Sequence, residues 1–257
     1  MEPFRVRLRF HGDLNYFLKT DVRDRDVRRE LKEPTSVKDV IESCGVPHTE
    51  VDRILIDSAA VNFSHVLRRN IDIEVYPVDL SDTTAVGSGL QPRHADRFVG
   101  DGHLGKLARN LRLLGFDVAY DPELDDRQLL HIMQSDKRAL LTRDRRLLMH
   151  SVVIDGYCPR SSDPLEQTGE VIRRFHLAGQ LRPFTRCLQC NAPLKAVDKE
   201  KILDQLEPLT RIYYNEFRCC TGCGKIFWRG SHFKKLEALL DRFRSNLKTE
   251  PRDDSAK

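Results

Sequence analysis

Apolar and charged residues alternate one by one at the start of the chain. Phe4, Val6, Leu8 and Phe10 interleave with Arg5, Arg7 and Arg9, the two-residue period of a half-buried strand with one basic face. Ser36-Val37-Lys38-Asp39 has the form of a capping box, and Val37, Val40 and Ile41 give the apolar stripe of a short helix. Arg53-Ile54-Leu55-Ile56 and the alternation of Ile71, Ile73 and Val75 with Asp72 and Glu74 predict later strands. Beyond Arg97 the pattern changes. Phe98-Val99, Phe116-Asp117-Val118-Ala119, Ala139-Leu140-Leu141 and Val152-Val153-Ile154 are short runs suited to inner strands of a parallel sheet. Between them Leu104, Leu107, Ala108, Leu111 and Leu114 recur at helical spacing up to Gly115, a C-cap. Leu129, Leu130, Ile132 and Met133 mark a second helix, and a last one is expected from Pro164 to His176. Strands alternating with helices predict an α/β domain built on a parallel sheet.

These changes of pattern divide the chain. Residues 1–80 read as strand, strand, helix, strand, strand, an order that resembles the ubiquitin-like β-grasp of small sulfur-carrier proteins. The segment does not stop at a glycine pair but runs on through Gly87 and Gly89, so a recognition module is expected rather than a sulfur carrier. Residues 81–96, rich in Ser, Thr, Gly and Pro, read as a linker. The α/β domain then spans 97–182, a cysteine-bearing domain 183–246, and a polar tail expected to be disordered 247–257. No apolar run has the length of a membrane span, and Met1 to Phe10 lacks the apolar centre of a signal peptide. Seven cysteines, four of them in two close pairs, suit a reducing compartment with bound metal, and a cytoplasmic protein is expected. The formal charge of +4 is modest but uneven. Residues 183–257 carry fifteen Lys and Arg against ten Asp and Glu, which favours an anionic partner at that end.

Three acids stand where chemistry in such a sheet is found. Asp101 follows Phe98-Val99-Gly100, Asp144 follows Leu141-Thr142-Arg143, and Asp126 opens the helix between them. Carboxyl ends of strands and the adjoining helix starts carry ligands in open α/β sheets, so the three make a candidate divalent-metal site. Each also has a plainer use: Asp126 and Asp144 as helix N-caps, Asp101 in a turn between glycines. Lys106, Arg109 and Arg112 project from the helix that begins beside Asp101, as a basic face open to solvent or to a phosphate backbone.

Phe98-Val99-Gly100-Asp101, the run from Gly105 to Gly115 and Leu141-Thr142-Arg143-Asp144 together resemble the Mut-seven C-terminal ribonuclease domain family, relatives of the PIN-domain nucleases. With the cysteine pairs, the likeness covers roughly Arg97 to Leu236, and family members often carry a ubiquitin-like domain. The resemblance implies a PIN-like fold and RNA hydrolysis. Asp101, Asp126 and Asp144 fill the family's acidic positions, and Asp125 is an adjacent alternative for the second. A further acid used by PIN domains has no clean counterpart; Asp121 and Glu123 are weak substitutes. Hard oxygen ligands suit Mg²⁺ or Mn²⁺, which activates water and steadies an in-line phosphoryl transition state. Lys106, Arg109 and Arg143 are candidates for positioning RNA.

Cys187-Leu188-Gln189-Cys190 and Cys220-Thr221-Gly222-Cys223 are separated by 29 residues, enough for a turn or helix around Lys199 to Leu206. Four thiolates from two such knuckles make a closed tetrahedral zinc site, which is structural rather than catalytic. Cys219 is a spare neighbour that competes with Cys220 for the ion, while Cys44 and Cys158 read as core residues. Phe227, Trp228 and Arg229 lie among cations, a composition that suits single-stranded or looped RNA or, more plainly, packing against the next domain. The expectation is a metal-dependent ribonuclease with a β-grasp domain, available to a protein partner, and a zinc ribbon that assists RNA binding. The alternative is a non-catalytic RNA-binding or ribosome-associated adaptor on the same fold.

Overall fold

The computed structural model describes residues 2–78, 89–92, 94–230, 233, 237–238 and 240–242. The N-terminal part contains β1 (Phe4–Phe10), β2 (Val27–Leu31), β3 (Thr35–Ser36), α1 (Val37–Ser43), β4 (Val51–Ile56), β5 (Ala59–Val61), β6 (Val66–Leu67) and β7 (Ile71–Pro77). Five strands form one sheet in the order β2-β1-β7-β4-β5, with β1 parallel to β7 and antiparallel to β2. This is the ubiquitin-like β-grasp. Phe4, Val6, Leu8 and Phe10 are buried while the intervening arginines are exposed, as the alternation predicts. Ser36 caps α1 by accepting the Asp39 N–H at 3.1 Å, and Val37, Val40 and Ile41 pack beneath the sheet. The short β3 and β6 pair separately.

The middle part runs β8 (Arg97–Gly100), α2 (Gly105–Leu113), β9 (Asp117–Tyr120), α3 (Asp126–Asp136), β10 (Ala139–Leu141), α4 (Arg145–Leu148), β11 (Gly156–Tyr157) and α5 (Pro164–Arg174). Its four strands are all parallel, in the order β11-β10-β8-β9. Successive strand residues point to opposite faces. Phe98, Ala139 and Leu141 join α2 and α5 in one core, whereas Val99 and Leu140 face α3, α4 and the β-grasp domain in another. The fourth strand is not Val152-Val153-Ile154 as the apolar run suggests. Those residues turn after α4, Val153 N–H donating to His150 O, and Ile154 is 74% exposed. The strand forms two residues later, where Gly156 and Tyr157 pair with Leu140 and Leu141.

The third part contains β12 (Leu194–Val197), α6 (Pro208–Tyr213), β13 (Phe217–Cys220) and β14 (Ile226–Trp228), with the three strands antiparallel in that order. A 3-10 helix, Lys199–Gln205, occupies the long excursion between the cysteine pairs. The expected solvent exposure of Arg112 is corrected here. Its guanidinium is buried and donates to Val118 O at 2.9 and 3.0 Å, and to Leu188 O and Gln189 O of the first knuckle. Asp117 adds Arg138, Arg186 and Asn191 to the same junction, so the ribbon is bolted to the α/β domain through charge-assisted bonds.

The β-grasp domain is likewise fixed in place. Its hydrophobic core is continuous with Val99, Leu129, Met133, Leu140, Leu147 and Leu148. Buried Glu50 accepts from Cys158 N–H and from Arg160, both at 2.7 Å. His48 bridges Glu42 and Val153 O at 2.6 and 2.7 Å. Removing one partner from a buried ion pair costs roughly 3–5 kcal/mol, so the Glu50–Arg160 contact strongly opposes separation of the two domains. Leu90 N–H donates to Asp52 O and Gln91 N–H to Asp52 Oδ1, holding the end of the connecting segment against β4. Residues 79–80, residues 81–88 and 93 of the expected linker, and all of the expected tail lie outside the described residues.

Candidate active site and metal centre

The carboxyl edge of the parallel sheet collects the predicted acids from three successive crossovers. Asp101 leaves β8 as the N-cap of a 3-10 turn, Gly102–Leu104, its Oδ1 accepting the His103 N–H at 3.4 Å. Its other oxygen accepts the Thr142 hydroxyl at 2.7 Å, across from the neighbouring strand β10. Thr142 is fully buried, and the same hydroxyl oxygen accepts the Asp144 N–H at 2.9 Å. A threonine hydroxyl has one proton and two lone pairs, and here it gives the proton to one acid while fixing the backbone of the other. Asp144 is exposed and caps α4, accepting from Arg146 N–H at 2.7 Å and Leu147 N–H at 3.3 Å.

The third acid arrives differently. Asp125, not Asp126, is the N-cap of α3, in a reciprocal capping box with Gln128. Asp126 is the first helical residue and is exposed. The loop before it is pressed against the Asp101 turn: Tyr120 Oη donates to Gly102 O at 2.8 Å. A Cβ on Gly102 would stand 2.8 Å from Pro122 O, and one on Gly105 would stand 2.5 Å from Tyr120 Oη. At Gly102 the close atom is backbone and only glycine fits, whereas at Gly105 a side chain would require Tyr120 to move. Asp121 Oδ1 accepts the Glu123 N–H at 3.0 Å within this loop.

Asp101 and Asp144 are thus linked through Thr142, with the start of α3 on the same edge. Among the described residues, however, the three aspartates do not form a group of ligand atoms drawn together to share an ion; the cysteines alone do. Four cations near these acids in sequence are uncommitted. Lys106, Arg109, Arg143 and Arg146 are exposed, and none is within ion-pair distance of a carboxylate among the described residues. Arginines elsewhere in the domain, such as Arg138 and Arg160, are spent on acids. Neither periodicity nor motif spacing singles out Tyr120 or Arg145. The one signal for Arg145 was its place directly after a helix-capping aspartate.

The metal centre is more explicit. The Sγ atoms of Cys187, Cys190, Cys220 and Cys223 all lie within 4.8 Å of one another, with Cys187–Cys223 at 3.8 Å and Cys190–Cys220 at 3.3 Å. Tetrahedral zinc at about 2.3 Å from each sulfur needs edges of about 3.8 Å, so the quartet fits that ion. Burial pushes the Cys187 thiol up to about 12. Burial also opposes ionisation of Cys220, but N–H donors from Cys223 and Gly222 outweigh it and bring that thiol down to about 6. Cys219 does not compete for the ion; its thiol turns to Gly224 O at 3.4 Å. Trp228 packs against Tyr214 and Phe217 yet remains 38% exposed, and Arg229 lies over Phe233 at 5.2 Å.

No helix of the described residues is long and apolar enough to cross a membrane. No curated protein and no solved structure gives a significant match to this chain. Two family profiles do match: the Mut7-C ubiquitin domain over residues 4–82 and the Mut7-C RNAse domain over residues 96–240. The second spans more than half of the chain, from Asp101 through the cysteine quartet, and so the protein belongs to the Mut7-C RNAse domain family, with an N-terminal ubiquitin-like domain.

Proposed function

We propose that the protein is a metal-dependent ribonuclease that hydrolyses RNA phosphodiester bonds at the carboxyl edge of its parallel sheet. The observation that carries this reading is the Asp101–Thr142–Asp144 unit, two carboxylates joined by one buried hydroxyl. Asp101, Asp126 and Asp144 would hold Mg²⁺ or Mn²⁺, oxygen donors being the ligands such ions prefer. The ion, when bound, supplies an activated water and neutralises charge on the phosphate. Thr142 holds one oxygen of Asp101 through its hydroxyl. Lys106, Arg109 and Arg143 hold the RNA backbone, while Trp228 and Arg229 offer a stacking and phosphate contact on a zinc-stabilised ribbon. A cytoplasmic location and a protein partner for the ubiquitin-like domain belong to the same proposal.

The test is incubation of labelled RNA with Mn²⁺ or Mg²⁺, alongside an Asp101→Asn, Asp144→Asn double variant. Cleavage confined to the unsubstituted protein is expected; equal cleavage by both removes the enzyme reading. A second reading, a non-catalytic RNA-binding adaptor, is favoured by the absence of a converged aspartate group among the described residues. It predicts RNA binding with no cleavage by either protein.

A further inference from the structure

The ubiquitin-like domain does more than sit behind the α/β domain, because one of its segments reaches the edge that carries Asp144. Arg145, the residue after that acid and the first of α4, donates to Phe17 O at 2.7 Å and to Tyr16 O at 3.4 Å. Its guanidinium lies 5.4 Å from the Tyr16 ring centre and 5.2 Å from that of Phe17. Arg160, at the exit of β11, pairs with Asp13 and Glu50 and lies over the same two rings at 5.7 and 4.8 Å. The two aromatic neighbours have different fates. Phe17 is 2% exposed and belongs to the core, whereas Tyr16 is only partly buried and meets Phe17 edge-on. The two arginines differ as well. Arg160 is neutralised by acids, but Arg145 is held by carbonyls and has no carboxylate partner among the described residues.

We propose that Tyr16 and Arg145 form a nucleotide subsite, so that the ubiquitin-like domain is a wall of the RNA-binding edge. A partly exposed aromatic ring with an uncompensated guanidinium beside it matches an unpaired base stacked on the ring's open part and its phosphate on the cation. Bases inside a duplex present no free face to Tyr16. The substrate class is therefore single-stranded RNA, or a loop, entering with a base unstacked. This subsite rests on the proposed RNA-directed function but not on hydrolysis.

Binding separates the two. Fluorescence anisotropy with a labelled single-stranded RNA of about a dozen nucleotides, and with a duplex of equal length, is measured in EDTA on the full chain. Tyr16→Ala is expected to raise Kd for the single strand about tenfold, the loss of one base–aromatic stack, and to leave the duplex unaffected. Tyr16→Phe, which keeps the ring, retains wild-type affinity. Unchanged single-strand binding by Tyr16→Ala overturns the subsite, and so does an equal loss for single strand and duplex, which signals a disturbed fold. Cleavage with Mn²⁺ is scored separately on the unsubstituted protein, so its absence counts against hydrolysis and not against the wall.

Discussion

Two clusters of would-be metal ligands lie in one chain, and they are built in opposite ways. The four cysteines converge because each pair sits on a knuckle whose backbone fixes both sulfurs, and the β13 turn supplies N–H donors to Cys220. The aspartates share an edge without converging, since each already serves the fold: Asp101 and Asp144 cap their own turns, and Asp126 stands one place past the cap of α3. Four thiolates around one ion leave no open position, whereas an acidic edge left partly open would leave room for waters on any ion it held. The difference teaches that one quartet is brought together by local backbone geometry, whereas the acids share only an edge.

The contrast breaks most sharply at the ribbon. Cys220→Ser, or prolonged chelation, should unfold the ribbon at a cost of roughly 10 kcal/mol of metal-coupled stability. Loss of one bound zinc by mass spectrometry and a shift in Trp228 fluorescence would report it; a variant that keeps both unchanged refutes the zinc assignment. At the acidic edge, Asp144→Asn should leave the melting temperature nearly unaltered and lower Mn²⁺-dependent cleavage about a thousandfold. A loss of cleavage that tracks loss of folded protein would instead make Asp144 only a cap.

Asp155, before β11 at the opposite end of the strand, provides a measure of what a buried acid costs. Burial pushes its carboxyl up to about 6, against the pull of Arg174. The neutral form is therefore favoured in the fold. The stability it allows is present below the ordinary carboxylate value of 3.8 and is lost as pH rises through about 6. Asp155→Asn should gain on the natural protein by at most about 3 kcal/mol at pH 7 and by nothing near pH 3, as read by denaturant unfolding. A constant difference across that range would contradict the assignment. Thr142→Val strands the Asp101 oxygen and the Asp144 N–H together, for a loss of about 1–3 kcal/mol and a higher Mn²⁺ requirement for cleavage. The smallest effect belongs to Lys106→Ala, which should weaken RNA binding a few-fold and lower the salt slope by about one, without sequence preference.

Much of this is legible in the amino-acid sequence. Ser36 as the cap of α1 and the stripe of α2 follow from capping chemistry and periodicity, which are local, and the length between the cysteine pairs calls for the turn or helix found near Lys199. Legibility failed where a distant partner decides. Val152-Val153-Ile154 has β-branched composition, yet strand status went to Gly156-Tyr157, because β10 can pair only with what the turn after α4 delivers to it. Arg112 looks like a surface cation on its helix, and is buried because the first cysteine knuckle places two carbonyls within its reach.

Sequence alone determined the order of the three parts, the two cysteine pairs and the strand ends after which Asp101 and Asp144 fall, since each depends on residues close along the chain. Tertiary structure decided that one hydroxyl of Thr142 joins Asp101 to Asp144, and that Arg145 lashes Tyr16 and Phe17 to the acidic edge. Those contacts bridge up to 129 residues of chain, and no local periodicity encodes a pairing across such a distance.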